Sequence, residues 1–367
     1  MIIELIEEGM KKISEMDFDG LLEFYPYLYI VSFGFLFYAM RSSKSKYSGR
    51  FEELGISAKN KRLSMKSTSQ YFEVSNVNPK LLYLSYWRDH FEILGNILSK
   101  KFIDVKIVNS FKKSKIRLFY DNLPETVSFE KCPLIKPMQS WIGINQFGDD
   151  VIIDFNKFPS LYIDGRPGSG KTTTILTILK SFVQNQKDLK ILIVTTKPDF
   201  QFLKKEIGER LLLVDMFDGE FVDQVEKIKD VFAEIDKIAQ DHRETGNLPR
   251  VRYMLVFDEA KDYLAKEKSD SKSTQALKEN LINFVYTHIR RNARYLSMPI
   301  MVASQTQNEG DLAIPLKMFH LRLASSTNEA MSRILCGDKR LTDLSFTRGK
   351  FLLKTPENEH ILRVSSS

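Results

Sequence analysis

The sequence contains few of the residues that bind metals or form disulfides. Its 367 residues include two cysteines, Cys132 and Cys336, which lie far apart in the chain. Its five histidines are scattered, and no pair has the spacing of a metal site. The pattern indicates neither a disulfide framework nor a zinc site, so we expect the soluble part of the chain in a reducing, cytosolic compartment.

The excess of charge of one sign is also small. The chain has 54 Lys and Arg against 47 Asp and Glu, which gives a net charge of +7. This charge is compatible with nucleic acid or an anionic membrane as a partner, but it requires neither. Hydrophobic residues make up 43% of a chain that is longer than one average domain. We therefore expect a large unit with an ample core and a smaller one beside it.

One apolar run near the N-terminus is long enough to cross a bilayer. Residues 21–40 read LLEFYPYLYIVSFGFLFYAM, with Glu23 as the one charge. Tyrosines lie near both ends of the run, and basic residues follow it. The pattern predicts a membrane-anchor region at residues 1–50, with a single-pass helix in the cell membrane and everything after Met40 on the cytoplasmic side. The alternative is a buried helix of a soluble domain.

Residues 51–140 give the mixed signals of a small α/β module followed by a connector. A helix is predicted around Trp87–Lys101, and short strands at Asp104–Asn109 and Lys115–Tyr120. The module is locally basic, so its surface either contacts DNA or a membrane, or is a solvated face. The residues that make it basic are Lys100, Lys101, Lys106, Lys112, Lys113, Lys115 and Arg117.

A glycine-rich loop between an apolar strand, Leu161–Ile163, and a helix, Thr173–Val183, is the most specific motif. In such a P-loop the backbone N–H groups close around phosphates, Lys171 reaches the β- and γ-phosphates, and the Thr172 hydroxyl coordinates Mg²⁺. The alternative, a plain glycine-rich turn, gives Lys171 no role. The predicted sites for ATP and Mg²⁺ are Gly165, Arg166, Pro167, Gly168, Ser169, Gly170, Lys171, Thr172 and Thr173.

Strand-like runs alternate with helical stretches from residue 141 onward, which predicts a mostly parallel sheet covered on both faces. The predicted strands are Val151–Asp154, Leu161–Ile163, Lys190–Thr195, Leu211–Val214, Tyr253–Phe257, Ile300–Ala303 and Leu321–Ala324.

The strand Tyr253–Phe257 ends in Asp258 and Glu259, which has the form of a Walker B element. The two carboxylates are expected at the carboxyl edge of the sheet, beside the P-loop. Asp258 would hold Mg²⁺, and Glu259 would act as the general base on the attacking water. The alternative is an acidic helix cap after a buried strand.

Two further elements follow Walker B. The strand that begins at Ile300 is followed by Gln305, whose amide is suited to sense the γ-phosphate. Upstream of it, Arg290, Arg291 and Arg294 crowd one helix end. Either they are partners of the helix C-terminal dipole, or they act as arginine fingers across a subunit boundary.

The lysine- and serine-rich stretch Lys261–Gln275 loses its apolar periodicity, which predicts an exposed, mobile loop. Such a loop either faces the pore of a ring and grips the phosphate backbone of DNA, or is solvated and has no partner.

These motifs, in this order, resemble the FtsK/SpoIIIE-type DNA translocases over residues 141–364. The matching segments are IGINQFGDDVIIDFNKFPSLYIDG before GSGKT, then VTTKPDF, VFDEAKDYL, RYLSMPIMVASQTQ and LRLASSTNEAMSRILCGDKRLTDLSFTRGKFLL. The resemblance implies that residues 141–367 form a RecA-like motor, usually a hexameric ring, that hydrolyses ATP to pull double-stranded DNA. It implies that Lys171 and Thr172 are the phosphate and metal residues, Asp258 and Glu259 the Walker B pair, Gln305 the sensor and Arg294 a catalytic arginine.

The chain also departs from the larger family members. The sequence given ends directly after the motor, where chromosome translocases carry a winged-helix module, and its single predicted anchor is small. It therefore looks most like the compact coupling proteins of conjugative plasmids and integrative elements, which bring DNA and its relaxase to a secretion channel. The spacing around Arg333 departs from the family pattern, which puts a role for Arg333 in doubt.

We therefore expect a membrane-anchored, ring-forming ATPase that translocates DNA in conjugative transfer. One rival interpretation is a packaging or secretion ATPase of related fold acting on single-stranded DNA or protein. Another is a nucleotide-dependent membrane scaffold without hydrolysis, which the intact set of Lys171, Asp258 and Glu259 disfavours.

Overall fold

The computed structural model describes residues 64–68, 71–75, 77, 84–100, 102–110, 113–121, 123–186, 188–247, 249, 251–306, 309–342 and 348–365. The predicted membrane helix at residues 21–40 lies outside them. Within the described ranges, no helix is both long enough and apolar enough to cross a membrane. The anchor therefore stays a prediction.

The described residues fall into two compact units. The second unit contains residues 85–91, 102–104 and 119–365, and the first contains the rest. The predicted domain boundaries at residues 50 and 140 stay predictions.

The small sheet is built from β1 to β4, in the order β1-β2-β4-β3. The predicted strands in this region are confirmed as β3 and β4. The predicted helix at Trp87–Lys101 is instead two helices, because the backbone tightens at His90, whose N–H donates to the Trp87 carbonyl at 3.2 Å. The elements are β1 Ser64–Ser67, β2 Tyr71–Ser75, α1 Leu84–Asp89, α2 Phe91–Leu98, β3 Phe102–Ser110 and β4 Lys113–Tyr120.

Part of the positive charge predicted for this region is neutralised within the small sheet. Lys115 and Arg117 on β4 each donate to the buried carboxylate of Glu73 on β2, both at 2.8 Å. These hydrogen bonds hold the pKa of Glu73 below its usual value. Lys115 and Arg117 therefore already pair with a carboxylate of the protein. This reduces the positive charge that is available to bind DNA or a membrane.

A mixed sheet dominates the second unit. In the part of the chain that the structure describes, ten strands lie in the order β6-β5-β14-β13-β12-β7-β11-β10-β8-β9. The pairs from β12 to β9 are parallel, and the pairs from β6 to β12 are antiparallel. The strands are β5 Gln139–Asn145, β6 Asp150–Asp154, β7 Ser160–Asp164, β8 Leu189–Thr195, β9 Leu211–Asp215, β10 Arg252–Phe257, β11 Ile300–Ser304, β12 Leu321–Ala324, β13 Lys350–Lys354 and β14 Glu359–Val364.

The central strands are apolar on both faces, as expected when helices cover a parallel sheet. Every residue of β7 and β11 is buried. The helices of this unit are α3 Lys171–Asn185, α4 Leu203–Ile207, α5 Phe221–Thr245, α6 Ala260–Leu264, α7 Lys272–Thr287, α8 Ala293–Tyr295 and α9 Glu329–Cys336.

Helix α3 buries an apolar stripe against one face of the sheet. Its residues Ile175, Ile178 and Phe182 are fully buried, and the ring of Phe182 lies 5.1 Å from that of Phe155. Because α3 carries the first residues after the glycine-rich loop, this packing fixes the loop against the carboxyl edge of the sheet.

The predicted α/β class with a mostly parallel sheet is confirmed, and each predicted strand of the motor is present. The antiparallel extension was not predicted. Strands β13 and β14 form a hairpin, and β14 also pairs with β5, with Leu362 opposite Asn145.

Candidate active site

The glycine-rich loop joins the end of β7 to the start of α3. Gly168 and Gly170 have φ of 76° and 102°, in the left-handed region that favours glycine. At Gly165 a Cβ atom would lie 2.6 Å from the Ser169 hydroxyl oxygen, so a larger residue cannot be placed without a shift. The loop is also tied to the antiparallel extension, because the Gly349 N–H donates to the Ser169 carbonyl at 2.8 Å.

Lys171, the first residue of α3, has its side chain turned back into the loop. Its ammonium group donates to the Gly165 carbonyl at 2.8 Å and lies 4.0 Å from Oε1 of Glu259. Burial lowers the pKa of Lys171, and the charge of Glu259 opposes that shift. A buried ammonium held by a single carbonyl has donors to spare for an anion entering the loop.

The Walker B pair lies at the same edge of the sheet, at the end of β10. Asp258 is fully buried and its N–H donates to the Val194 carbonyl at 2.8 Å. Its Oδ2 accepts from the Thr195 hydroxyl at 3.4 Å, but its Oδ1 has no hydrogen-bond partner among the residues that the structure describes. Burial, together with the neighbouring Glu259, raises the pKa of Asp258 to about 6.

Glu259 is held by two side chains from other strands. It accepts a hydrogen bond at Oε1 from the Gln305 amide at 2.8 Å and forms an ion pair with Lys197. Burial alone would raise the pKa of Glu259, but these two donors and the charge of Lys171 outweigh it, so the pKa lies below its usual value. The backbone of Glu259 is left-handed, with φ of 49°, which is uncommon outside glycine and typical of functional sites.

The residues at this edge fit the expected ligands, Mg²⁺ and ATP. The unpartnered Oδ1 of Asp258 is an oxygen donor of the kind that Mg²⁺ prefers, and Thr172 lies at the start of α3 on the loop itself. When bound, Mg²⁺ would neutralise negative charge on the phosphates.

Arg294 is not brought to the loop. It is exposed on α8, just before β11, whose first residue Ile300 pairs with Ser160 at the amino end of β7. The glycine-rich loop follows the opposite end of β7. Arg290 and Arg291 are likewise exposed, in the π-helical turn His288–Asn292. The structure therefore places Arg294 near the opposite edge of the sheet from the loop, and its role across a subunit boundary stays a prediction.

The predicted exposed loop at Lys261–Gln275 is present only at residues 265–271, and both of its ends are helical, which corrects its bounds. Lys261 lies on α6 and pairs with Asp311 at 3.1 Å, and Lys272 begins α7. The apolar periodicity is lost because α6 ends and α7 begins within this stretch. The Ser271 hydroxyl caps the start of α7. Only residues 265–271 connect the two helices.

Comparison with known proteins gives one family match and several structural ones. A family model described as Schlafen group 3, DNA/RNA helicase domain, matches residues 160–308. No curated protein matches the chain.

Three solved structures are similar in fold. The pCW3 conjugation coupling protein TcpA, in its monomer form with ATPγS, has a TM-score of 0.60 and 19% identity, covering 88% of this chain and 94% of that chain. The cytoplasmic domain of the Thermomonospora curvata type VII secretion ATPase EccC has a TM-score of 0.52 and 19% identity, covering 64% of this chain and 29% of that chain. The Thermomonospora curvata EccC ATPases 2 and 3, in complex with a signal sequence peptide, have a TM-score of 0.51 and 13% identity, covering 67% of this chain and 44% of that chain.

The resemblance to the FtsK/SpoIIIE-type motors is confirmed in the fold. The identities are low, so the likeness speaks for the architecture and leaves the activity to be argued from the residues.

Three residues at or beside this edge, Lys197, Asp164 and Thr306, had no role predicted from the sequence. Lys197 is the second residue after the buried strand β8. A lysine at that place indicates a charged group at the carboxyl edge of the sheet, and this signal could have identified it. Asp164 and Thr306 were not singled out, and they are joined by hydrogen bonds of 3.1 and 2.9 Å.

Proposed function

We propose that this chain is a membrane-anchored, ATP-driven DNA translocase that serves as the coupling protein of conjugative transfer. One observation carries the proposal: Lys171 at the start of one helix, and Asp258, Glu259 and Gln305 at the ends of two strands, meet at one edge of the sheet. The shared fold with a conjugation coupling protein over 88% of this chain supports it.

In the proposed reaction each residue of the site has one task. Lys171 and the N–H groups of the loop bind the phosphates of ATP, and Thr172 and Asp258 hold Mg²⁺. Glu259 accepts a proton from the attacking water, and Gln305 reports the state of the γ-phosphate. Arg294 would serve a neighbouring subunit of a homo-oligomer, which we propose to be a hexamer, and this agrees with its exposed position away from the loop.

The proposed substrate is double-stranded DNA, with a relaxase and the proteins of a secretion channel as further partners. The main alternative is a packaging or secretion ATPase that acts on single-stranded DNA or protein. It is supported by the likeness in fold to EccC, a type VII secretion ATPase.

ATP turnover in the presence of different polymers tests the substrate. We expect double-stranded DNA to stimulate hydrolysis several-fold, with the stimulation falling steeply as salt rises because phosphate contacts release counterions. Full-length protein would be assayed with double-stranded DNA, single-stranded DNA and no DNA. Stimulation by single-stranded DNA alone would favour the alternative, and no response to either would contradict the translocase proposal.

The proposed membrane anchor at residues 21–40 is tested separately. We expect the full-length chain to sediment with membranes and to need detergent for extraction, and a chain that starts at Arg41 to remain in the supernatant. A full-length chain that stays in solution without detergent would contradict the anchor and leave the motor proposal unaffected.

A further inference from the structure

Asp164 is a buried carboxylate between the two halves of the site. It is the last residue of β7, directly before Gly165, and is 1% exposed. Its Oδ1 accepts three hydrogen bonds, from the Thr306 N–H at 3.1 Å, the Thr306 hydroxyl at 2.9 Å and the Tyr162 hydroxyl at 3.3 Å. Within the described part of the chain, its Oδ2 has no hydrogen-bond partner.

The three side chains form a closed, buried network. The Tyr162 and Thr306 hydroxyls lie 2.9 Å apart, so every member contacts both others. Tyr162 is fully buried and Thr306 is 6% exposed. Burying a carboxylate is costly unless hydrogen bonds offset the loss of water. Removal of Asp164 would leave the Thr306 N–H without its acceptor and free the backbone at that point.

The position of Thr306 gives this network a consequence for the reaction. Thr306 directly follows Gln305, whose amide donates to Oε1 of Glu259. On the other side, Asp164 directly precedes Gly165, whose carbonyl is bound by the Lys171 ammonium. The strands β7 and β11 are parallel neighbours, with Ser304 paired to Asp164. Asp164 therefore ties the phosphate-binding loop to the segment that contacts the Walker B glutamate.

We propose that Asp164 is a positioning residue that, through Thr306, holds Gln305 within hydrogen-bond distance of Glu259. The inference rests on the proposed ATPase function and adds to it a residue that acts on the reaction without touching its substrate. The competing explanation is that Asp164 only stabilises the fold.

A double-mutant cycle distinguishes the two explanations. The variants are Asp164→Ala, Gln305→Ala and the double variant, and the measurements are kcat and the Kd for ATP. We expect Asp164→Ala to lower kcat by about 100-fold, because misplacing a catalytic group by about 1 Å has an effect of that size. The Kd for ATP should change by less than about 3-fold. In the Gln305→Ala background, Asp164→Ala should lower kcat by less than about 3-fold, since its effect runs through Gln305.

Two further variants keep the test informative if Asp164→Ala folds poorly. Asp164→Asn keeps an oxygen that accepts from Thr306, so it should restore most of kcat. Thr306→Val removes the hydroxyl that donates to Asp164. It should lower kcat in the parent background but should not lower kcat further in the Gln305→Ala background. Ser181→Ala is the matched control, because it removes one buried hydrogen bond, to the Trp141 carbonyl at 3.2 Å, from the part of α3 that lies away from the loop. It should leave kcat unchanged.

Amide hydrogen exchange of the nucleotide-free protein gives a readout that does not depend on turnover. The Thr306 N–H should lose protection in Asp164→Ala and keep it in Asp164→Asn. Unchanged protection at Thr306, or losses of kcat that simply multiply in the double variant, would overturn the proposal. If the parent chain neither binds nor hydrolyses ATP, the proposed function itself is wrong. Loss of protection at Thr306 in Asp164→Ala would then show only that Asp164 holds the backbone of Thr306 in place.

Discussion

Replacing Glu259 by glutamine is expected to stop ATP turnover while ATP still binds. Hydrogen bonds from Lys197 and Gln305 hold the pKa of Glu259 below its usual value, so at neutral pH it is a carboxylate that can accept a proton. An amide of the same shape can still accept from Gln305 but cannot take a proton. General-base catalysis typically contributes about 10² to 10⁴-fold, and we expect kcat to fall by that factor.

The measurement is kcat together with the Kd for ATP, which should stay within about 3-fold of the parent value, since the phosphates are bound by the loop and not by Glu259. Glu226→Gln is the matched control, because Glu226 is exposed on α5 and pairs with Lys229 on the same helix. Turnover at the parent rate in Glu259→Gln would show that the Walker B assignment is wrong.

Replacing Lys171 by alanine is expected to remove both ATP binding and hydrolysis. Lys171 is the buried cation at the loop, and the nearby Glu259, Asp258 and Asp164 add negative charge that opposes an incoming triphosphate. Without the ammonium, Lys197 would be left as the cation beside Glu259, and the carboxylates would repel the ligand more strongly. Removing one preorganised charged donor typically lowers turnover by about 10² to 10³-fold, and we expect at least this loss.

Calorimetric titration with Mg²⁺-ATP measures the binding, and steady-state turnover measures the rate of hydrolysis. Lys180→Ala is the control for the loss of a lysine from α3, since Lys180 is near the other end of that helix. If Lys171→Ala binds ATP as tightly as the parent, the loop is not the phosphate site.

The parts of the site that could be predicted are those encoded in one short stretch. The loop needs glycine at Gly168 and Gly170 for its left-handed backbone, and the Walker B pair follows an unbroken apolar strand. Such local requirements can be recognised from the residue types within a single short stretch.

The parts that could not be predicted depend on neighbours in the sheet. The hydrogen bonds between Asp164 and Thr306 join residues 142 positions apart, and the ion pair of Lys197 with Glu259 joins residues 62 apart. Both require the strand order to be known. The role of Arg294 stays a prediction for a related reason, because its place near the motif in sequence does not say which edge of the sheet it occupies.

The strand order also bears on how the protein is made. Strand β14, the last one described, lies between β5 and β13, and Gly349 at the start of β13 supports the phosphate-binding loop through Ser169. Ribosomes deliver the chain from its N-terminal end, so the loop and both Walker B carboxylates emerge long before the strands that complete their sheet. Until β14 inserts, β5 and β6 remain an unattached hairpin whose open edge can pair with another chain. The nascent chain therefore carries this open edge from the synthesis of β6 until that of β14.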